Sequence, residues 1–367
     1  MAAGVANGEL PSIVRIGAGR RMHVVHRFAP NDTPGALALL GANVVGIDGL
    51  PESAGRAFVV DGDRFRSVFS VPDNGYGTIA FVRGALMDGG YAFGMEGGRG
   101  PACRMRKGHS ACGAIEAIGR DARARRIATF ASPAEPIPLA GDGRSAWFAA
   151  RDPARLVVVR QGRVRSVATG GRVALDATPF GTGALVALRD ANAVDVASLA
   201  GTALATFAAI PTGGPYADAT LRARDGVAYA LISGGAGAPS GESRLYVLAP
   251  PSAPRLIRSW ESEFVRLHFV DVRGGAVLST ERRTVGAAAP TTRGTLVRIA
   301  ADGRERRLPL GVLGERAAVE DAIEARDGAV WSLLTFYGSP AGVVRSDGVA
   351  AAEYPLQAGT AHRLRKN

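Results

Sequence analysis

The sequence has few lysines, cysteines and aromatic residues, and no long hydrophobic run. Lys107 and Lys366 are the only lysines, so arginine supplies the other 42 of the 44 basic residues. Apolar stretches such as 34–47 are too short, and too often interrupted by glycine, to cross a bilayer as a helix. No run of five or six like charges occurs, and basic and aromatic residues are not interleaved. These absences argue against a membrane span and against nucleic-acid binding.

The composition is that of a folded, turn-rich protein. Hydrophobic residues make up 47% of the chain and charged residues 21%, which is ordinary for a globular protein. The 49 glycines and 21 prolines favour turns and short strands over long helices. A length of 367 residues exceeds one average domain but fits one large repeat fold. We therefore expect a single all-β domain.

The formal net charge of +11 allows four interpretations. An excess of positive charge is typical of proteins that bind nucleic acid, an anionic glycan or an anionic membrane surface. The fourth interpretation is a surface coated with arginine throughout, which fits the even spread of Asp and Glu among the basic residues. We expect a monomer whose partner is a carbohydrate or a protein surface, with no nucleic acid and no membrane span.

Two cysteines, Cys103 and Cys112, lie nine positions apart in the segment CRMRKGHSAC. A disulfide that clips a loop, two free thiols and a metal-binding pair are all open, but the C-x2-C and H-x3-H spacings of metal sites are missing. We follow the disulfide, which implies an oxidising compartment. The first residues, MAAGVANGELPS, lack the basic and apolar regions of a signal peptide. We expect a mature periplasmic or extracellular protein, with a cytoplasmic one as the alternative.

A unit of four short strands recurs along the chain. Its second strand is the clearest element, as in ANVVGID, GALVALR and DGAVWSLL. The equivalent residues of these strands are Val45, Phe93, Trp147, Val186, Tyr229, Leu278 and Trp331. Another strand precedes each of them, and a hairpin with a tight QG, DG or RD turn commonly follows. Four strands repeated seven times predict a seven-bladed β-propeller, with six or eight blades as alternatives.

The repeats also predict how the rest of the chain is organised. We expect disorder over 1–11, a hairpin over 12–28 that closes the ring, seven repeats over 34–357 and a basic tail over 358–367. A β-sandwich is the rival fold, but it does not predict a sevenfold recurrence. Residues 315–325 favour a helix by propensity, yet the repeat register makes them an inner strand, and we follow the register.

The repeat resembles two known classes of bacterial propeller. NVVGIDG, AFGMEGG and GTLVRIAADGRERRL resemble the tandem GloVer-type repeat, although the later units lack its YGTT element. GDGRSAWFAA and ARDGAVWSLL resemble, more weakly, the DGxxWF blades of streptogramin-lyase-type propellers. Both resemblances imply a propeller fold. They imply little about activity, because the matching residues are turn glycines and packing aromatics.

The longest loops join second to third strands, and we expect them to surround the mouth of the channel. These loops span 96–112, 233–242 and 282–293. Their guanidinium and imidazole groups suit carboxylates and sugar hydroxyls. The predicted ligand-binding residues are Arg104, Arg106, His109, Trp260, Glu261, Arg266, His268, Arg282 and Arg283. Trp260 is expected to offer an aromatic platform with Glu261 beside it. The alternative is that abundant arginines lie on these loops by chance.

Histidines and paired carboxylates are the candidate catalytic groups. They are His109, His268, Glu320 and Glu324. His268 is expected to share a strand face with Arg266 near the channel, where it could act as a general base, and Glu320 and Glu324 to share a face of the last inner strand. The alternatives are a histidine packed between blades and carboxylates that balance arginines. A P-loop, G-x-S-x-G, H-E-x-x-H, an EF-hand loop and the sialidase Asp box are absent, and no cofactor or metal is indicated.

These features lead to a binding or interaction module outside the cytoplasm, for an anionic or polyhydroxylated ligand. The alternative is a lyase or hydrolase that acts on a carbohydrate or cyclic peptide at the channel mouth. In that case His268 or His109 is the base, and arginines stabilise the developing anion. The sequence leaves open whether the protein is an enzyme.

Overall fold

The structure is a computed structural model of the chain. It describes residues 2–6, 12–16, 22–29, 33–40, 43–49, 55–71, 78–81, 90–97, 101–104, 108, 111–118, 123–131, 136–142, 144–151, 153–212, 217–234, 242–261, 263–283, 292–315, 317–336, 339–355 and 359–364. Two compact units divide the chain: unit 1 comprises residues 1–174 with residue 367, and unit 2 comprises residues 175–366. No helix within the described ranges is long and apolar enough to span a membrane.

Unit 1 contains antiparallel sheets of consecutive strands. The N-terminal strands are β1 (Ala2–Ala6), β2 (Ser12–Ile16) and β3 (Met22–Arg27). The next sheet contains β4 (Thr33–Leu40), β5 (Asn43–Gly49), β6 (Gly55–Asp61) and β7 (Arg64–Val71). Another contains β8 (Thr78–Phe81), β9 (Gly90–Gly97), β10 (Ala111–Ile118) and β11 (Ala124–Phe130), with the short helix α1 (Pro101–Arg104) between its middle strands. The last contains β12 (Ile137–Gly141), β13 (Ser145–Arg151), β14 (Ala154–Arg160) and β15 (Arg163–Ala168).

Unit 2 repeats the four-stranded plan. Its sheets contain β16 (Val173–Phe180), β17 (Gly183–Arg189), β18 (Ala193–Ala200) and β19 (Ala203–Pro211), then β20 (Asp218–Arg224), β21 (Val227–Ser233), β22 (Ser243–Leu248) and β23 (Arg255–Trp260). They continue with β24 (Phe264–Val270), β25 (Ala276–Arg283), β26 (Thr292–Ile299) and β27 (Glu305–Leu308), then β28 (Ala318–Glu324), β29 (Val330–Phe336), β30 (Ser339–Ser346) and β31 (Ala351–Pro355). A short 3-10 helix, Leu313–Glu315, precedes β28, and β32 is Gly359–Leu364.

The repeat read from the sequence matches these sheets. Each of the seven residues aligned as equivalent lies in the second strand of a four-stranded sheet, in β5, β9, β13, β17, β21, β25 and β29. Residues 318–324 form a strand, as the repeat register predicts, and not a helix. Burial between sheets therefore outweighs the helix propensity of this Ala- and Glu-rich segment.

Tight turns join the outer strands as predicted. Arg160 and Arg163 are paired across the β14–β15 hairpin, which leaves Gln161 and Gly162 as a two-residue turn. Both turn residues have positive φ, 50° and 72°, the conformation that matches the twist of the flanking strands. Glycine adopts it without strain at the second position.

The hydrophobic cores lie between the faces of successive sheets. In unit 1, Ile115 of β10 packs with Phe148 of β13 and Val157 of β14. In unit 2, Tyr229 and Trp260 pack with Leu267 and Leu278 of the following sheet. Similar clusters join β16–β19 to β20–β23 and β24–β27 to β28–β31. The second strands β13, β17 and β21 are buried along most of their length.

Both chain ends differ from the sequence expectation. Residues 2–6, expected to be disordered, form β1, and Ala2 and Ala3 pair with Val14 and Ile13 of β2. Backbone pairing with β2 makes these residues a strand although Gly and Ala do not favour one, and local composition does not reveal such pairing. Residues 359–364, expected to be a tail, form β32. Within 12–28, β2 and β3 pair as an antiparallel hairpin, and its closing of the ring stays a prediction.

Candidate ligand site on the first strands of unit 2

The first strands of the sheets of unit 2 carry a line of polar contacts from one sheet to the next. These strands are β16, β20, β24 and β28. Arginines on one strand reach carboxylates or carbonyl oxygens on another, so the strands lie within side-chain reach of one another. Three groups of contacts follow, from the beginning of the strands to their end.

At the beginning of β24, Phe264, Arg266 and Glu320 come together. Phe264 is 51% exposed. The Arg266 guanidinium lies 5.1 Å from the centroid of the Phe264 ring, a cation–π distance. Its Nη1 is 2.8 Å from Oε2 of Glu320 and donates to the Glu320 carbonyl at 3.1 Å. About a third of each charged side chain is exposed. The three residues together present an aromatic face, a cation and a carboxylate to solvent.

In the middle of the strands, His268 is held as a neutral imidazole. Its Nε2 lies 2.8 Å from Oγ of Ser279. Burial, together with the nearby positive charges of Arg222 and Arg266, lowers the pKa of His268 to about 3. A β-bulge between Leu267 and Phe269 places His268 out of the regular pairing with β25. At neutral pH this histidine is therefore uncharged and a weak base.

Arg222 of β20 ties three first strands together. Its Nη1 lies 3.1 Å from Oδ2 of Asp176 on β16, and its Nε donates to the carbonyl of His268 on β24 at 2.8 Å. Asp176 also accepts the backbone N–H of Leu221 at 2.8 Å. Both side chains are largely buried, so this pair holds strands in place and offers little to a ligand.

At the end of the strands, Arg224 of β20 forms an ion pair with Glu324 of β28. Glu324 also accepts the backbone N–H of Val272 at 3.0 Å. Beside them, in the turn after β24, Asp271 is fully buried and forms an ion pair with Arg298. The Asp271 carboxylate accepts the backbone N–H groups of Arg273 and Gly275 as well. These carboxylates are engaged in structure.

The structure separates the predicted site residues into several places. Arg266, His268, Glu320 and Glu324 do lie on first strands of unit 2, but Glu320 and Glu324 pair with different arginines. They therefore do not act together as a carboxylate pair. Arg104 is exposed at the end of α1 in unit 1. Arg106 and His109 lie outside the described residues.

The predicted cysteine pairing is confirmed. Cys103 of α1 and Cys112 of β10 form a disulfide with a Cα–Cα distance of 5.1 Å. Both cysteines are buried and pack with Ala114. The bond anchors the segment between β9 and β10 to the sheet.

Two other expectations need correction. Trp260 is the last residue of β23 and only 8% exposed, because it packs between sheets with Tyr229 and Val265. It offers no platform to a ligand, and Glu261 beside it is exposed. Arg282 and Arg283 lie in β25, where they pair with Arg293 and Thr292 of β26, and not in a loop. The structure describes the backbone of these two residues and not their side chains.

Sequence reasoning missed Phe264, Arg222 and Arg224. The sequence prediction names Trp260 as the exposed aromatic residue and does not name Phe264. Phe264 begins a strand in which Val265 and Leu267 face the core, so alternation places the Phe264 side chain on the other, exposed face. That alternation is a signal that could have found it. No local signal pairs Arg222 with Asp176, because these residues are 46 positions apart.

Comparisons with known proteins show the fold and no family. No protein-family model and no curated protein sequence matches the chain. It resembles the structure of a prolyl endopeptidase, with a TM-score of 0.56 and 13% identity over 92% of this chain and 51% of that one. It also resembles the dihydro-heme d1 dehydrogenase NirN, with a TM-score of 0.54 and 12% identity over 98% of this chain and 73% of that one. The acylaminoacyl peptidase of Pyrococcus horikoshii is similar as well, with a TM-score of 0.50 and 11% identity over 90% of this chain and 55% of that one.

These likenesses support the fold alone. The chain spans about half the length of the prolyl endopeptidase it matches. The structural neighbours are β-propeller proteins, the peptidases through their propeller domains. They do not support the narrower GloVer-type resemblance. Four-stranded antiparallel sheets that follow one another along the chain are the unit of this fold. The chain is an all-β protein with the β-propeller fold.

Proposed function

We propose that the protein is a binding module for a carbohydrate that carries carboxylates, and that Phe264, Arg266 and Glu320 contact this ligand. The observation that carries the proposal is the half-exposed Phe264 ring with a guanidinium beside it and a carboxylate next to that. Phe264 is among the few large apolar side chains of the described residues that are more than 50% exposed. An exposed aromatic with convergent polar groups is the usual composition of a ligand site.

Each of the three groups suits one part of an acidic sugar. The Phe264 ring provides a flat apolar surface for the C–H face of a pyranose. The guanidinium of Arg266 has donors arranged for a carboxylate or two vicinal hydroxyls. Glu320 accepts hydrogen bonds from hydroxyl groups. Because Arg266 and Glu320 already hold each other, little side-chain order is lost when a ligand binds.

The proposal includes a location outside the cytoplasm. The Cys103–Cys112 disulfide supports it, because such bonds persist mainly in oxidising compartments. Arg104, exposed beside the disulfide, stays a predicted ligand contact.

The alternative function, a lyase or hydrolase, is less well supported, because His268 does not suit the role of a general base. A general base works best when its pKa is near the working pH, and the pKa of His268 is lowered to about 3. Glu324 and Asp271 are bound to arginines and to backbone N–H groups. We therefore propose binding without turnover at this site.

Titration calorimetry with tetragalacturonate, and with neutral cellotetraose for comparison, tests the proposal. We expect Phe264→Ala and Arg266→Gln each to weaken tetragalacturonate binding by about tenfold or more, the effect of one good contact of roughly 1.4 kcal/mol. Arg266→Gln should lower the preference for the acidic oligomer, whereas Phe264→Ala should weaken both.

Arg307→Gln is the matched control, since Arg307 is exposed on the outer strand β27. Binding that is unchanged in both site variants, or equally weakened in the control, contradicts the site. Shortened or unsaturated oligomers in the mixture, seen by mass spectrometry, contradict binding without turnover.

A further inference from the structure

A cluster of exposed arginines surrounds the β14–β15 turn of unit 1. We name this cluster the turn arginines; they are Arg125, Arg144, Arg160, Arg163 and Arg165. Arg160 and Arg163 are directly paired across the hairpin, and Arg165 is two residues further along the same face. Arg144 precedes Ser145, which pairs with Arg160 from the other side. Nη2 of Arg125, from the neighbouring sheet, lies 3.0 Å from where a Cβ on Gly162 would be.

The turn arginines are not engaged in the structure. Within the described part of the chain, none of the five side chains makes a hydrogen bond or an ion pair. The carboxylate of Asp142, nearby in sequence, accepts the backbone N–H groups of Arg144 and Ser145. Arg126, next to Arg125, differs because it forms an ion pair with Glu116 at 2.7 Å.

This arrangement opposes stability. Like charges directly opposite each other on an antiparallel pair are destabilising, and Arg160 faces Arg163. Nothing within the hairpin offsets the repulsion. The same charges are available to bind an anion from solution, since Arg160 and Arg163 flank the turn and the Arg125 guanidinium lies beside Gly162.

We propose that the turn arginines bind a linear acidic polysaccharide, on a surface separate from the Phe264 site. The surroundings favour this polyanion. The apolar residues of the hairpin are buried or half-buried: Val157, Val158, Val159, Val164 and Val167. Trp147 on the adjacent strand is 3% exposed. Among the described residues, this surface therefore offers no apolar side chain to insert into a bilayer and no aromatic ring on which a base could stack.

Heparin, a sulfated linear polysaccharide, is the probe. The variant Arg160→Gln/Arg163→Gln/Arg165→Gln is compared with Arg273→Gln/Arg307→Gln/Arg326→Gln, which removes the same charge from exposed arginines of unit 2. We expect the hairpin variant to bind heparin at least about tenfold more weakly. The slope of log K against log salt should become shallower by about 2–3, close to one for each lost contact. The unit 2 variant should keep most of the affinity and slope.

Stability and other polyanions complete the test. Because the replaced arginines repel one another, the hairpin variant should melt at the same temperature as the parent or slightly higher. Equal loss of heparin binding in both variants indicates diffuse electrostatics and overturns the proposal. So does equal or tighter binding, through the same arginines, to vesicles of anionic phospholipid or to single-stranded DNA. Heparin also carries carboxylates, which the Phe264 site is proposed to bind, so the three hairpin substitutions are repeated in the Phe264→Ala background. They should weaken heparin binding by the same factor there, so this proposal and the proposed function can fail separately.

Discussion

Arginine has different surroundings on the first strands of unit 2 and at the β14–β15 turn of unit 1. On and beside the first strands of unit 2, Arg222 and Arg266 reach carboxylates on other strands, and Arg298 reaches Asp271 in the turn after β24. In unit 1, Arg160 and Arg163 are exposed on a hairpin and engage no described group. The residue type is the same, so its role depends on whether an acceptor from another strand lies within reach. Abundant arginine alone therefore does not identify a ligand site.

One type of contact, from an arginine on a fourth strand to a backbone carbonyl of the next sheet, occurs more than once in unit 2. Arg255 of β23 donates to the carbonyl of Ala301, and Arg306 of β27 donates to that of Gly348 at 2.8 Å. Both acceptors are near the turn between third and fourth strands of the next sheet. Arg306 is thus engaged, and so is Arg304, which pairs with Asp302. They are poor controls for binding experiments.

The largest expected effect is in unit 1, where apolar side chains pack the N-terminal hairpin against β6. Ile13 and Phe28 are buried against Phe58 and Val60. Deleting residues 1–28 removes two buried side chains, each worth about 1.5–3 kcal/mol, and should markedly lower the melting temperature. Calorimetry measures the shift. Loss of amide protection in both units would support our prediction that the N-terminal hairpin closes the ring. An unchanged melting temperature would make the hairpin an appendage.

The next effect is in unit 2, at its buried ion pair. Asp271→Ala leaves Arg298 charged and buried without its carboxylate, so unfolding free energy should fall by about 3–5 kcal/mol. Asp302→Ala is the matched control, because Asp302 and its partner Arg304 are exposed, and exposed ion pairs contribute far less than buried ones. Urea unfolding measures both. Equal losses would show that burial does not distinguish these ion pairs.

A smaller effect concerns pH and His268. An unfolded histidine titrates near 6.5, whereas the folded pKa is lowered to about 3. Between these values the unfolded state binds more protons, so unfolding free energy should fall as pH decreases, by up to about 1.4 kcal/mol per pH unit. The measurement is the unfolding free energy of the parent and of His268→Gln, each at pH 7 and at about pH 4.5. The difference between the two proteins isolates the pH dependence caused by His268 from that caused by the carboxylates. A constant difference would contradict the neutral, buried imidazole.

The smallest effect tests a polar group that has no partner. Ser332 of β29 is fully buried, and its hydroxyl makes no hydrogen bond in the structure. Removing a buried, unsatisfied hydroxyl costs nothing in hydrogen bonding, so Ser332→Ala should be neutral or stabilising by about 1 kcal/mol. Ser279→Ala is the contrast, because Ser279 bonds to His268 and should lose stability. Chemical unfolding distinguishes the two, and a loss in Ser332→Ala would reveal a partner.

Several features were predictable because they depend on neighbours in sequence. Alternating burial and two-residue turns identified the second strands, among them the strand of Trp147, because strand period and turn geometry are local properties. The repeat register predicted the strand at 318–324, although the helix propensity of this segment favours a helix. The pairing of Cys103 with Cys112 followed because the chain offers no other cysteine.

What only the tertiary structure decided is which groups meet across sheets. Arg222 and Asp176 are 46 positions apart, and Arg224 and Glu324 are 100 apart, so no local pattern links them. Trp260 and Phe264 are four residues apart, yet one is buried and the other half-exposed, because one ends an outer strand against a core and the other begins a first strand. The sequence determined the strands and turns through local geometry. Packing between sheets, which joins distant residues, decided which charges are neutralised and which are left to bind.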